Sequence, residues 1–499
     1  MAGRMAATLA MIAISSLTVL HADERVTFRG YEHLPQRPFE VVEPDSALAP
    51  AAGEYRPDEI IVKFDPNVPE KQRAQIAQAY GCQVAGACQA GLQLVRLPAQ
   101  VTPHEMALAF DQRPDVIYAE PNPIARAVFV PDDSYYTYQW NLDNGETRGI
   151  HMEEAWAIEQ GRPGVIVAVL DTGVAYEDYD IYRQAPDLAD TLFVPGYDFV
   201  NDDEHPNDDQ GHGTHVAGTI GQSTNNGLGV AGIAPGCSIM PVKVLDQEGA
   251  GDHFTIARAI RFAVNGGARV INLSLGSPQQ SNTLRDAVRM AYENGVTIVS
   301  AAGNDYLKGN PTFYPAAEKD YCIAVGAIRY DSERSPYSNT GFYMSVVAPG
   351  GDVNVDQNMD DYADGILQQT FVSDPGEFHY YFFQGTSMAA PHVSGLAALL
   401  ASHGVTDPDR IREAIEQTAR DLGPSGWDEQ YGWGLIDAGA ALRYYPDADL
   451  TGDEVVDLDD LIAFSQCWLA IDELALACDF NGDGRVNLRD FSVLADRWV

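Results

Sequence analysis

Positive charge is scarce in this sequence. Its 499 residues carry 31 Lys and Arg against 72 Asp and Glu, a formal net charge of −41 at pH 7. That excludes a nucleic-acid partner, because phosphate binding takes clustered Lys and Arg. The carboxylate surplus suits solubility and hard cations, although a solvated acidic surface accounts for most of it. Long apolar runs are also few. MAATLAMIAISSLTVL follows Arg4 at the chain start and gives way to small residues near Ala22. It is short for a bilayer span and has the layout of an export signal, residues 1–22, with an uncleaved anchor as the alternative. No later run is long enough to span. Cysteine is sparse: Cys82 and Cys88, Cys237 and Cys322, Cys467 and Cys478. Export permits disulfides, and the last pair, flanking two helices of a small module, is the best candidate. Spacing alone leaves the pairing open.

The length calls for about three folded units. Residues 23–54 are irregular, with Pro, Glu and Ala near their end, as in a linker. A compact unit is expected over 55–127. EIIVKF (59–64), a weaker segment near Val84, LQLVRL (92–97) and VIYAE (116–120) read as strands. Helical stretches at 69–81 and from Pro103 complete a β-α-β-β-α-β order, the ferredoxin-like arrangement. Over 131–443 apolar strands alternate with amphipathic helices. VIVAVLD (165–171) is apolar throughout, as in a strand covered on both faces. The class expected is α/β, a parallel sheet with helices on both faces. A Pro/Asp break then opens a last, all-α unit, 446–499.

Amide hydrolysis takes a nucleophile, a base, a group that orients the base, and donors for an oxyanion. Asp171 ends VIVAVLD, at the carboxyl edge where open α/β sheets place their sites. His212 opens a helix after Gly211. Ser387 lies in GTSMAAPHVSGLAALL, at a helix start whose dipole favours developing negative charge, with Pro391 placed in the first turn. Asn304, in AAGN, offers a side-chain amide. His215 and His392 read as structural. The order Asp, His, Ser resembles that of the subtilases, and G-T-S-M-A does not fit the G-x-S-x-G elbow.

VAVLDTGV, HGTHVAGTI, SLG, AAGN and GTSMAAPHVSGLAALL closely resemble the motifs of the subtilases over residues 131–443. The resemblance implies a serine endopeptidase in which Asp171 orients His212, His212 is the base and then the acid, and Ser387 attacks the peptide carbonyl. Asn304 and the Ser387 amide would form the oxyanion hole. Ser274, Leu275 and Gly276, with Ala301 and Gly303, would line the substrate, the peptide adding as a strand. TFYP (312–315) aligns with the floor of the first specificity pocket, which Phe313 would shorten. RPDEIIVKF and VIYAEPNP resemble the propeptides of this family, which chaperone folding, inhibit, and are cut off. A catalytically dead binding scaffold is the rival reading; it would lack a triad member, and none is missing. A dedicated processing protease is not separable from a broad one by sequence.

Several carboxylate groups suit calcium. DFNGDGRVNLRD (479–490) places Asp479, Asn481, Asp483, Asn487 and Asp490 at loop positions 1, 3, 5, 9 and 12, with Gly484 at 6. DLTGDEVVDLDD (449–460) repeats it with Asp449, Thr451, Asp453, Asp457 and Asp460, but Glu454 stands where Gly eases the turn. The duplicated loop resembles a dockerin, which implies a cohesin-like or cell-surface partner; the alternative is a stability module without one. Asp356, Asn358, Asp360 and Asp364 have the 1, 3, 5, 9 spacing but neither the Gly nor the final acid. By resemblance to subtilase calcium sites, Asp133, Asp187 and Asn226 would converge on one cation, and Asp198, Asp203 and Asp208 on another. The expected location is secreted, with attachment to a cell surface through 446–499.

Overall fold

A computed structural model of the chain describes residues 55–87, 91–98, 101–123, 129–143, 148–444 and 458–468, and singly Cys478, Phe480, Val486, Asp490, Phe491 and Leu494. The expected export signal and linker lie outside the described residues. Val130–Arg443 forms one compact unit, and the segments before and after it fall outside that unit.

The first segment builds β1 (Tyr55–Phe64), α1 (Glu70–Ala79), β2 (Gln83–Ala87), β3 (Leu92–Arg96), α2 (Pro103–Asp111) and β4 (Val116–Pro123). The sheet is antiparallel with order β2-β3-β1-β4. Alternation in β1 sends Ile60, Val62 and Phe64 inward, where they meet Ile76, Val95 and Phe110. Thr102 and Glu105 close a capping box on α2, each reaching the other's backbone N–H. This is the β-α-β-β-α-β order expected from the sequence.

In the large unit, strands β5 (Ile166–Asp171), β6 (Leu192–Phe193), β7 (Tyr197–Asp198), β8 (Ser238–Lys243), β9 (Val270–Leu273), β10 (Thr297–Ala301), β11 (Cys322–Ile328) and β12 (Val346–Pro349) make one parallel sheet. Its order is β12-β11-β10-β9-β5-β8-β6, with β7 also on β8. The chain leaves β5 for β8 on one side, then crosses back to β9 on the other. Strand order therefore reverses at β5, and a crevice opens beyond its carboxyl end, at Asp171. Helices α3 (His253–Asn265) and α4 (Asn282–Glu293) cover the face that carries Ala168, Leu170, Val242 and Ile271. Helix α5 (His212–Gly221) packs against α6 (Thr386–His403), which runs along β9 to β12. Every residue of α6 up to Ser402 is buried, which is why it is apolar all round rather than amphipathic. A hairpin of β13 (Ile366–Thr370) and β14 (His379–Phe383) lies off the main sheet, with β13 against α5.

Pro391 corrects the sequence reading. It is the sixth residue of α6, not a first-turn residue. A proline there gives no N–H to the carbonyl four residues back, that of Ser387. Ser274 Oγ donates to that carbonyl instead, at 2.8 Å. The defect thus ties the helix start to the end of β9.

In the last segment α7 (Leu458–Cys467) is described, and Phe464, Cys467, Cys478, Phe480, Val486 and Leu494 share a small core. Cys467 and Cys478 are disulfide-bonded, while Cys82, Cys237 and Cys322 are free thiols.

Candidate active site

Three elements meet at the switch point. Asp171 closes β5 fully buried, and its Oδ1 lies 2.7 Å from His212 Nδ1. Thr172 N donates to the same oxygen at 2.8 Å, which fixes the carboxylate. A carboxylate on Nδ1 favours the tautomer with its proton there, leaving Nε2 to accept. Ser387, 6 % exposed, is the second residue of α6, and its hydroxyl donates to Ser274 O at 3.2 Å. Asn304 Oδ1 accepts from Thr386 N at 2.9 Å and from Thr386 Oγ1 at 3.0 Å. Two donors on one end of the amide identify that end as oxygen, and Nδ2 lies beside Gly385. Gly385, at φ 148°, leaves its Cα bare where a side chain would crowd that nitrogen.

The nominated substrate residues frame the same crevice. Ser274, Leu275 and Gly276 continue beyond β9. Among the described residues, the backbones of Leu275 and Gly276 make no hydrogen bond to another segment. Ala301 ends β10 and Gly303 follows, its N–H held by Thr386 Oγ1 at 3.1 Å. Phe313 lies between the two segments. A Cβ on Gly276 or on Gly303 would stand 2.8 Å from its ring. Tyr314 pairs with Ser277 through both backbone bonds, at 2.8 and 3.0 Å, holding the ring there.

Sequence reasoning missed the struts behind Asp171 and His212. Asp208, nominated as a cation ligand, takes five protein donors: Thr172 Oγ1, Gln210 N and Gly211 N on Oδ1, Thr214 N and Thr214 Oγ1 on Oδ2. Gly213 N donates to Thr172 Oγ1 in turn. Asp208 therefore clamps the end of β5 to the start of α5, and it does not join Asp198 and Asp203 as an open oxygen set. Asp198 is likewise closed by Val200 N, Asn201 N and Asn201 Nδ2, and Asp203 accepts from His205 N. Lys243, buried at the end of β8, donates to Thr172 O at 2.6 Å, Leu245 O at 2.9 Å and Asp209 Oδ1 at 2.6 Å. Burial raises Asp209 above the usual carboxylate range, against the pull of Lys243. His215 and His392 are fully buried, and burial lowers them to about 3 and about 4. Both are neutral; His215 meets Ile366 O, and His392 bridges Met388 O and Asn141.

Asp133, Asp187 and Asn226 are brought together around the 225–230 turn. Asn225 N donates to Asp133 Oδ2 at 2.7 Å, and Val230 N and Asn226 Nδ2 reach Asp187 at 3.0 and 3.3 Å. Asp133 Oδ1 is buried without a partner. Burial raises Asp133 and pushes Asp187 up to about 7. An unpaired buried carboxylate oxygen fits a hard cation, and Asp187 is bonded to the same 225–230 turn. In the last segment only Asp460 and Asp490 of the nominated ligands are described, both fully buried. Asp449, Thr451, Asp453, Asp457, Asp479, Asn481, Asp483 and Asn487 lie outside the described residues.

Residues 162–434 match the family model described as "Subtilase family", 43–122 that of the "Fervidolysin N-terminal prodomain", and 447–497 that of the "Dockerin type I domain". The chain is 38% identical to a thermophilic serine proteinase of Bacillus sp. (strain AK1) over 393 residues, covering 79% of this chain and 89% of that protein. It is 36% identical to thermitase of Thermoactinomyces vulgaris over 318 residues, covering 63% of this chain and all of thermitase. A solved protease structure from Pseudoalteromonas arctica PAMC 21717 superposes with TM-score 0.54 at 33% identity, covering 63% of this chain and 99% of that one.

Proposed function

The chain belongs to the subtilase family, and from that premise we propose that Asp171, His212 and Ser387 are the catalytic triad of an exported, self-processing enzyme. It is a subtilisin-like serine endopeptidase with a prodomain. The observation that carries the residue assignment is the 2.7 Å contact of Asp171 with His212 at the sheet's switch point, with Ser387 in the first turn of the helix packed against that of His212.

The peptide lies along Ser274–Gly276, whose backbone is open to a further strand. The Ser387 hydroxyl turns from Ser274 O to His212 Nε2, which takes its proton as the oxygen attacks the scissile carbonyl. Asp171 stabilises the imidazolium that results, and does not itself take the proton. The oxyanion is met by Asn304 Nδ2 and the Ser387 N–H. Loss of such an amide donor costs about 2.7–4 kcal/mol, the value found in subtilisin itself. His212 then protonates the leaving amine, and water hydrolyses the acyl-enzyme by the same route. Because Phe313 occupies the space between Gly276 and Gly303, small side chains are preferred ahead of the scissile bond.

Calcium would be held by Asp133, Asp187 and Asn226, and by the two loops 449–460 and 479–490, where it would neutralise crowded carboxylates. The prodomain supports synthesis as a zymogen, cut between Ala125 and Val130. The dockerin match supports tethering at a cell surface through a cohesin-like partner. Ser387→Ala, purified away from other proteases, should accumulate precursor still carrying 55–127. An organophosphonate should abolish activity, whereas thiol reagents should spare it. Normal trimming of Ser387→Ala, or activity surviving the phosphonate, would remove the reading. Profiling on a peptide library should show Phe313→Gly accepting large aromatic residues about 10–200-fold better than the parent; an unchanged profile would remove the pocket assignment alone.

A further inference from the structure

The loop 356–364 has no role in the mechanism, yet it contains an anomaly. Asp364 is 1 % exposed. Its Oδ2 accepts from Gln357 N at 2.5 Å, so the carboxyl lies across the loop's opening turn. Its Oδ1 is buried with no hydrogen-bond partner, and Gln357 Oε1 is buried unpartnered as well. The nearest charges are of the same sign: Asp356, Asp360 and Asp331. Asp331 is already engaged by Arg329. Among the described residues, no Lys or Arg pairs with Asp356, Asp360 or Asp364. A buried anion with an unmet oxygen is costly unless a cation supplies the missing partner.

The backbone already has the shape such a partner needs. Asp356, Asn358, Asp360 and Asp364 occupy positions 1, 3, 5 and 9 of an oxygen-ligand loop. Position 6, where that loop turns sharply and favours glycine, is Asp361, and it takes φ 73° in spite of its side chain. Asp360 N donates to both Asp356 Oδ1 and Asn358 Oδ1, and Tyr362 N to Asp360 Oδ1. Among the described residues no group of three or more His, Cys, Asp or Glu side chains stands close enough together to hold a metal ion, so the loop would have to draw in around one. What the loop presents is a half-closed set whose buried member lacks a partner.

We propose that residues 356–364 bind one divalent cation of the calcium class, through Asp356, Asn358, Asp360 and Asp364. The loop's place in the fold gives the cation a purpose. Asp364 O accepts from Asp352 N, Gln384 Oε1 from Val353 N, and Gly350 O from Gly385 N, two residues before Ser387. On the other side the loop runs into β13, whose Thr370 Oγ1 donates to Gly211 O beside His212. A bound cation pins the segment joining the two.

The test uses the full-length chain carrying Ser387→Ala, so that autolysis does not intrude. Asp364→Asn and Asp356→Asn are added separately, the second at an exposed position. Bound calcium is counted after equilibrium dialysis, and melting is followed in calcium and in chelator. Each variant should hold one calcium fewer than its parent. Asp364→Asn should melt below the parent in calcium and above it in chelator, because it removes both a ligand and an unpaired buried charge. An unchanged calcium count in both variants would overturn the proposal. So would Asp364→Asn ranking on the same side of the parent in both media. If Asp364→Asn fails to fold, the count for Asp356→Asn decides.

Discussion

Asp208 and Asp364 are both buried aspartates in acidic loops, and they are opposites. Asp208 receives five donors from the protein, which bind β5 to the start of the His212 helix. Asp364 receives one on its side chain, and its second oxygen is bare. Asp133 resembles Asp364 in this respect, with Asn225 N on one oxygen and nothing on the other. Acidity of the surrounding sequence does not distinguish these cases. What does is whether the fold itself supplies the hydrogen bonds an ionised carboxylate requires. Where it does, the group is a rigid strut and a cation has no place. Where it does not, as at Asp133 and Asp364, a cation can supply the missing partner; the bare Oδ2 of Asp171 is an exception, beside an imidazole that becomes cationic in the reaction.

The largest effect that can break this contrast is expected at the strut. Asp208→Ala leaves five donors without their acceptor, most of them buried. At about 1 kcal/mol for each net hydrogen bond, the loss comes to about 5 kcal/mol. Activity should fall with it, since the register of His212 against Asp171 depends on the clamp. The loss should be the same in calcium and in chelator. A calcium-dependent difference between Asp208→Ala and its parent, seen in thermal unfolding of inhibited enzyme, would make Asp208 a ligand after all.

Calcium removal should do the reverse at Asp133 and Asp187. Binding to the folded state alone stabilises by about 2.7 kcal/mol at a hundredfold excess over the dissociation constant. Asp187→Asn should forfeit that gain, yet it should equal or exceed the parent in chelator, where its carboxylate is a liability. If Asp187→Asn were as calcium-responsive as the parent, the comparison would lose one of its two arms. The isolated 446–499 segment sharpens it further. Too short for a self-sufficient core, it should gain helical circular dichroism on adding calcium, with Asp479→Ala costing more binding than Asp449→Ala because Gly484 eases the second loop's turn.

How much of this was legible in the sequence follows from the same distinction. VIVAVLD announced itself as a two-sided strand because every inward contact is apolar, and the motifs around Asp171, His212, Asn304 and Ser387 are local. Asp208 was not legible as a strut, because its donors come from residues 172, 210, 211 and 214, and only the fold brings Thr172 to it. Lys243 was hidden in an apolar strand as an exception to its pattern, and its acceptors are Thr172 O past the end of β5, Leu245 O two residues on and Asp209 Oδ1 in the loop before α5. The hairpin of β13 and β14 was missed for a related reason. Gln368, Gln369 and Thr370 are buried polar residues, so ILQQT lacks the apolar signature of a core strand. Gln369 Oε1 accepts from Asp187 N, another pairing across 182 residues. Pro391 was placed in a first turn because the rule for proline is local, whereas its tolerance at the sixth position rests on Ser274.

The smallest expected effect concerns buried groups that the fold keeps neutral. His215 and His392 are held at about 3 and about 4, against 6.5 for an exposed imidazole, chiefly by burial. Their folded values are depressed, so between about pH 4 and pH 6.5 the unfolded chain binds protons that the folded chain refuses. Stability is therefore fully present above about pH 6.5 and is lost as pH falls through that window, at about 1.4 kcal/mol per pH unit for each histidine. The raised carboxylates have the opposite sign. Raised Asp187 and Asp364 take up protons in the folded chain, so in chelator they offset part of the acid loss, whereas in calcium they are ligands and do not. Denaturant midpoints of inhibited enzyme, measured from about pH 7 down to about pH 4.5, should therefore fall more steeply in calcium than in chelator. His392→Asn, which retains a donor and an acceptor, should reduce the slope by about one proton in both media. Equal slopes in calcium and chelator would mean that the bare oxygens of Asp133 and Asp364 carry no charge for a cation to meet, and the contrast with Asp208 would collapse.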